Sequence, residues 1–299
     1  MPTSARRSVL GATALAVFLA AGTGCSSDSG RGDSSSRVLD GLGTLAEDNS
    51  TNQVTYLDAE KVRELSKGDE KRFAAVGQPG SSLLNAYEPG PWGQHLKVTQ
   101  IDTAVDTKNA GHWEGSFDAA AITTSLKSNG YKQSGDDESW TRPGRTGASF
   151  QVSKDEISYS SEGDTPMSAV HPKDGASLAD VKEYQRADEC LGDVYRADFN
   201  PLTPSKPVRL SALGQQAAVA AKNTEVLCLV VKDEATANRA AADLRSVVAA
   251  KSSKFDGTKV TVEKGDQPLV RAVVPDTAAQ RPGRLMLSDV DLWMAITDL

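Results

Sequence analysis

The chain has 299 residues, with 40 Asp and Glu against 33 Lys and Arg and a formal net charge of −7. That balance argues against nucleic acid as a partner, because phosphate binding needs clustered Lys and Arg. It argues equally against charge-driven attachment to anionic lipid or anionic wall polymers. Apolar residues make up 38% of the chain, enough for a real core after residue 36, in one large domain or two of half that size.

Arg6 and Arg7 precede an apolar run from Val9 to Ala21. The run is shorter than the roughly 20 residues a transmembrane helix needs, and its flanks suit an export signal. Then come Gly22-Thr23-Gly24-Cys25 and Ser26-Ser27-Asp28-Ser29. This stretch resembles the lipobox of bacterial lipoproteins, with Gly22 in the place usually held by Leu. The resemblance implies that residues 1–24 are a signal peptide removed at Cys25, whose sulfur carries a diacylglyceryl lipid. Two acyl chains hold a protein stably on a membrane, at about 0.8 kcal/mol per buried CH₂. Arg6-Arg7-Ser8-Val9-Leu10 also resembles a twin-arginine export signal. The Ala- and Gly-rich composition together with GTGCSSD resembles secreted lipoproteins of actinobacteria such as streptomycetes. The expected location is the outer face of the cell membrane, reached through the lipid. No cofactor is expected beyond that covalent lipid.

Residues 25–36 read as the lipidated cysteine and a flexible tether, about 18 Å long as a coil. Arg31-Gly32-Asp33 within it is a chance tripeptide in a polar linker. Lipidation consumes one of the three cysteines and leaves Cys190 and Cys228. A pair in an oxidising exterior reads as a disulfide. Closing a loop between positions 38 apart is worth about 4 kcal/mol in the chain-entropy model.

Structure is predicted from Gln53 onward. Val54, Tyr56 and Leu57 suggest a strand, and Asp58 a cap for a helix with Val62 and Leu65 that stops at Gly68. Asp69 to Val76 reads as a second helix. Tyr87-Glu88-Pro89-Gly90-Pro91-Trp92-Gly93 is a loop, since its prolines forbid regular structure. His112 to Phe117 is a strand, and Asp118 caps a helix with Ile122 and Leu126 on one face and Asn129-Gly130 at its end. Strands follow at Tyr131–Gln133 with Trp140–Arg142, at Ser149–Val152 and at Glu156–Ser160, where Phe150/Val152 and Ile157/Tyr159 alternate with polar residues.

A helix over Leu178–Leu191 begins at the capping pair Ser177 and Asp180, stops at Gly192 and carries Cys190 on its last turn. Glu225 to Val231 is almost continuously apolar, a strand buried on both faces. Asp233 caps a long helix with Ala237, Ala241, Leu244 and Val248 on one stripe. Lys259–Glu263 and Leu269–Val274 form a hairpin, and Ser288 and Asp291 suit the start of a last helix. Strand, helix, strand, strand thus occurs twice. The expected fold class is α+β, two related strand-helix-strand-strand halves around mixed sheets, over 37–175 and 176–299.

Catalytic signatures are sparse. His95, His112 and His171 are far apart and lack metal-type spacing. Gly-x-Ser-x-Gly and the glycine-rich phosphate loops are absent. Asp136-Asp137-Glu138 reads as a solvated turn, and Asp289-x-Asp291 lacks a calcium-loop spacing. Trp113 and Trp140 fall on strands and belong to the core. Trp92 and Tyr87 lie in the Pro/Gly loop and form a candidate recognition anchor. The functional expectation is a non-catalytic binding or scaffolding protein of the cell envelope, with an envelope protein or wall component as partner. A wall-directed hydrolase, or a carrier holding an apolar ligand between the halves, are the alternatives.

Overall fold

The computed structural model describes residues 36–84, 90–134, 138–143, 148–161, 166–202, 205–217, 219 and 222–297. The expected signal segment, Cys25, the Arg31-Gly32-Asp33 tripeptide, Tyr87, Asp136 and Asp137 lie outside the described residues.

Helix α1 (Arg37–Leu42) starts at Ser36, whose Oγ accepts from the Leu39 amide. Strand β1 (Val54–Asp58) runs into α2 (Ala59–Leu65), because Asp58 accepts from Lys61 N and caps the helix. A single turn, α3 (Glu70–Phe73), replaces the longer helix expected over 69–76. Then follow β2 (Ile101–Asp106), β3 (Ala110–Gly115) and α4 (Ala119–Ser128), the last capped by Asp118 as expected. The first half closes with β4 (Lys132–Gln133), β5 (Trp140–Thr141), β6 (Ser149–Val152) and β7 (Glu156–Ser160).

The expected helix over 178–191 is broken. Ser177 and Asp180 do form a capping box, but it closes a 3₁₀ turn at Leu178–Asp180. Val181 is extended (φ −79°, ψ 122°), and helix α5 (Lys182–Leu191) starts after it. The chain continues as β8 (Arg196–Pro201), β9 (Val208–Ala217), β10 (Asn223–Val231), α6 (Glu234–Ala250) and α7 (Ser252–Phe255). The hairpin β11 (Lys259–Glu263) and β12 (Leu269–Pro275) precedes α8 (Arg284–Leu287) and α9 (Asp291–Thr297).

Twelve strands among the described residues form one sheet, in the order β11-β12-β10-β9-β8-β1-β2-β3-β7-β6-β5-β4. The fold is α+β, but the expectation of mixed sheets is corrected: every neighbouring pair is antiparallel. The reason lies in the connections. After α4 and after α6 the chain returns as a hairpin, and the hairpin's last strand pairs with the strand before the helix. A parallel neighbour, which needs a crossover onto the adjacent position, never arises.

The two halves share one connectivity. Strand orders β1-β2-β3-β7-β6 and β8-β9-β10-β12-β11 match, each preceded by a helix (α1, α5) and interrupted by a helix after its third strand (α4, α6). β1 and β8 meet antiparallel at the centre, with Tyr56 opposite Ala197. That pairing relates the halves by an approximate two-fold axis through the sheet.

One sheet face carries α1 and α5 over a continuous core that includes Tyr56, Val105, Tyr184, Phe199 and Cys228. Cys190 and Cys228 are bonded, with Cα atoms 6.2 Å apart, so α5 is stapled to β10. The opposite face holds two separate clusters, one around Leu57, Trp113, Ile122 and Phe150, the other around Leu213, Leu229, Leu244 and Leu292. Between them runs a polar seam. Arg196 pairs with Asp198 at 2.7 Å and donates to Gln78 O at 2.9 Å. Asp106 accepts from Trp113 Nε1, Tyr159 OH and Gly80 N at 2.7–2.9 Å. Glu225 accepts from Gln215 at 2.9 Å and from the Leu285 amide. Irregular chain crosses the sheet here, and its backbone groups need such partners once buried.

The expected recognition anchor is corrected at Trp92. Trp92 is 3% exposed and sits edge-on to Trp113 and Phe150, with ring centroids 6.0 and 5.4 Å away. Burying an indole is worth more than presenting it, and no local periodicity is needed for a loop to fold back. At the sheet's ends, β4 has two residues, and β11 exposes Lys259, Thr261 and Glu263 while Val260 and Val262 pack inward.

Candidate functional site

Alternate residues of a strand share a face, and register sets them side by side across the sheet. Tyr56 lies opposite Val105, Val105 opposite His112, and His112 opposite Ser158. One step along, Asp58 lies opposite Thr103, and Thr103 opposite Glu114. These side chains are on the face that carries α1. Helix α1 has six residues, whereas α5, its counterpart, has ten. Beside the short helix the sheet is left as an open cleft of about 440 Å³. Gly41 lets α1 lie close, since a Cβ there would sit 2.7 Å from Val105 Cγ2.

The cleft is acidic. Asp40, Asp58, Glu60, Asp102 and Glu114 line it, with Arg37 as its basic residue. Arg37 Nη1 is 2.8 Å from Asp58 Oδ2, and Asp102 pairs with Arg63. Burial, then the charges of Glu156 and Asp40, push the Glu114 carboxyl above its ordinary value. Burial lifts the Tyr56 hydroxyl as well, and the neighbouring Asp58 charge adds to it.

At the floor, His112 Nδ1 is 2.9 Å from Ser158 Oγ, which is 2.9 Å from His171 Nε2. The two imidazoles stand edge-on, 5.5 Å apart. A serine oxygen has one proton and two lone pairs, so Ser158 donates to one ring and accepts from the other. Burial and the neighbouring His171 lower the His112 pKa to about 4, so its ring is neutral at physiological pH. His171 holds a left-handed backbone at φ 55°, a conformation uncommon outside glycine. Its amide donates to Thr44 O at 3.0 Å, which straps this loop to the end of α1. Glu114 Oε1 lies 3.9 Å from His112 Nε2, beyond hydrogen-bond reach.

The corresponding row of the second half runs Phe199, Ala212, Cys228 and Arg271. There Cys228 bonds to α5, and Arg271 Nε donates to Cys190 O at 2.7 Å. A disulfide and a full-length helix thus occupy the place that His112, Ser158 and the open cleft hold in the first half.

Ser158 and His112 are at nucleophile–base distance. However, Ser158 is mid-strand and 2% exposed, and Glu114 does not bond the far side of the ring. The arrangement works as a hydrogen-bond relay, not as a triad. In the sequence the three histidines are far apart. The structure brings His112 and His171 together and leaves His95 exposed elsewhere. Both His112 and Ser158 fall on expected strands, but the pairing that joins them is a long-range register that spacing does not reveal. Asp289 and Asp291 are held by Lys254 and Lys251, and Asp289 also by Arg284. Among the described residues, no group of three or more His, Cys, Asp or Glu could hold a metal ion, and no helix is long and apolar enough to cross a membrane. No protein-family model, curated protein or solved structure matches the chain.

Proposed function

We propose that this is a lipid-anchored extracytoplasmic protein, held at the outer face of the cell membrane through Cys25, that binds an envelope component in the cleft beside α1 without transforming it. The supporting observation is the cleft itself, a polar concavity of about 440 Å³ left where the first half's short helix fails to cover the sheet. Its Arg37 follows Cys25 by about a dozen residues, at most ~40 Å of extended chain. A ligand in the cleft is thereby kept within reach of the membrane surface. The non-catalytic reading rests on the setting of Ser158, mid-strand and 2% exposed, beside a His112 ring whose far nitrogen Glu114 does not reach.

Two measurements test this. Cys25→Ala should move the protein from the membrane fraction to the medium; unchanged retention overturns the anchor. A photo-crosslinking residue in place of Glu60, exposed on the cleft rim, should capture an envelope component in cells. The same residue at the exposed hairpin position Asp266 should not. Equal capture from both positions, or none from the rim, overturns cleft binding.

A further inference from the structure

We infer that the cleft recognises an organic cation, an ammonium or guanidinium group seated between Glu114 and His112. This deepens the binding role proposed above and rests on it. Acidic lining alone would not carry the inference. Two buried polar side chains that line the cleft do. Tyr56 is 1% exposed and His112 is 5% exposed, both line the cavity, and neither the Tyr56 hydroxyl nor His112 Nε2 is hydrogen-bonded to a protein group among the described residues. These two atoms belong to side chains that line the cleft, where a ligand's polar groups can pair them.

The geometry suits a nitrogen donor. His112 Nε2 and Glu114 Oε1 are 3.9 Å apart, too far to bond each other. A nitrogen hydrogen-bonded to both at about 2.8 Å would subtend an angle of about 90°, which the diverging N–H bonds of an ammonium can meet. One of the relay's two proton arrangements gives Nε2 the acceptor role. With His112 Nδ1–H donating to Ser158 Oγ and the Ser158 hydroxyl donating to His171 Nε2, Nε2 is left with its lone pair facing the cleft.

Charge agrees with geometry. Arg37 answers Asp58, and Arg63 answers Asp102. The Glu114 side chain, 56% exposed, has no Lys or Arg within ion-pair distance among the described residues and feels the charges of Glu156 and Asp40. An arriving cation relieves that repulsion, and an anion meets it. The cavity is much larger than a bare metal ion, which fits a cation carried on an organic frame.

The test is calorimetric titration of the full-length protein, purified from membranes in detergent. The probes are spermidine and agmatine as cations, citrate as an anion, maltotriose as a neutral sugar and calcium chloride. Spermidine and agmatine should bind at one site, with affinity falling as salt rises. Glu114→Gln should weaken them about tenfold or more, as loss of a charge-assisted hydrogen bond does. Tyr56→Phe should weaken them several-fold, and Asp266→Asn should change nothing. Spermidine should also shift the His112 imidazole nitrogen resonances. Equal amine affinity in Glu114→Gln overturns the inference, as does failure of both amines to bind at millimolar concentration. Saturable binding of calcium, citrate or maltotriose in place of amines, abolished by Glu114→Gln, overturns it as well. In that case rim crosslinking from position 60 would still stand, so failure of the cation and failure of cleft binding are distinguishable.

Discussion

Glu225 is a carboxyl group in an apolar strand, and its proton couples the C-terminal half to pH. Burial, then the nearby Asp276 charge, raise its pKa to about 8. The unfolded chain releases this proton near pH 4.5, while the folded chain keeps it to about pH 8. Stability from this group therefore declines as pH rises through that window. Glu225→Gln cannot titrate and keeps the shape. Thermal melts should show the variant gaining on the parent between pH 5 and pH 9, by on the order of a few kcal/mol; a pH-independent difference would refute this. His112 has the opposite sign. Its folded pKa of about 4 lies below the ordinary 6.5, so its contribution is complete above pH 6.5 and is lost as pH falls toward 4. Its ring carbon–proton NMR signals should hold their neutral positions down to pH 5, and a midpoint near 6.5 would contradict the buried relay. Neither residue stands out in the sequence. Glu225 opens a run of apolar residues, and His112 opens the expected strand, but Leu285 and Ser158, which partner them, lie dozens of residues away.

At the level of elements, the most direct prediction concerns the staple between α5 and β10. Replacing Cys190 and Cys228 together by Ser should lower stability by about 4 kcal/mol, read from urea unfolding; a loss below about 1 kcal/mol would mean that packing alone seats the helix. The elements legible in the sequence share a trait: their polar and apolar residues separate by face. The stripe of α6, the caps at Asp58, Asp118 and Asp233, and the alternation in β6 and β7 all announce themselves this way. Strands β8 and β2 do not. In β8, Arg196 and Asp198 alternate with Ala197 and Phe199, but both faces are buried, so the polar positions point into the seam instead of solvent. Strand β2 likewise ends on the buried Asp106. Strand β9 carries Ser211 and Gln215 inside. Helix α1 is short, polar on one side and interrupted by Gly41, and only its Ser36 cap hints at it. The cleft was illegible for the same reason, since it depends on where α1 ends over strands that pattern alone did not reveal.

Over the whole molecule, the β1–β8 ladder makes two similar halves into one sheet, and the core under α1 and α5 crosses the junction. The halves should therefore unfold together. In a Trp293→Phe variant, which removes the tryptophan packed on the second-half core, Trp92, Trp113 and Trp140 report on the first half and far-UV circular dichroism on both, with helix α6 dominating the second. Fluorescence and dichroism melts should coincide, and two separated transitions would show that the halves are energetically independent. The ends of the sheet carry a further consequence. Proteins confined to a membrane surface, as proposed here, share one plane and meet neighbours at far higher local concentration than in solution. An open strand edge is a template for pairing with another copy. β4 has only two residues to offer such a neighbour, and β11 greets it with Lys259 and Glu263. Both ends of the ladder are thus poor templates, and crowded copies can remain separate molecules.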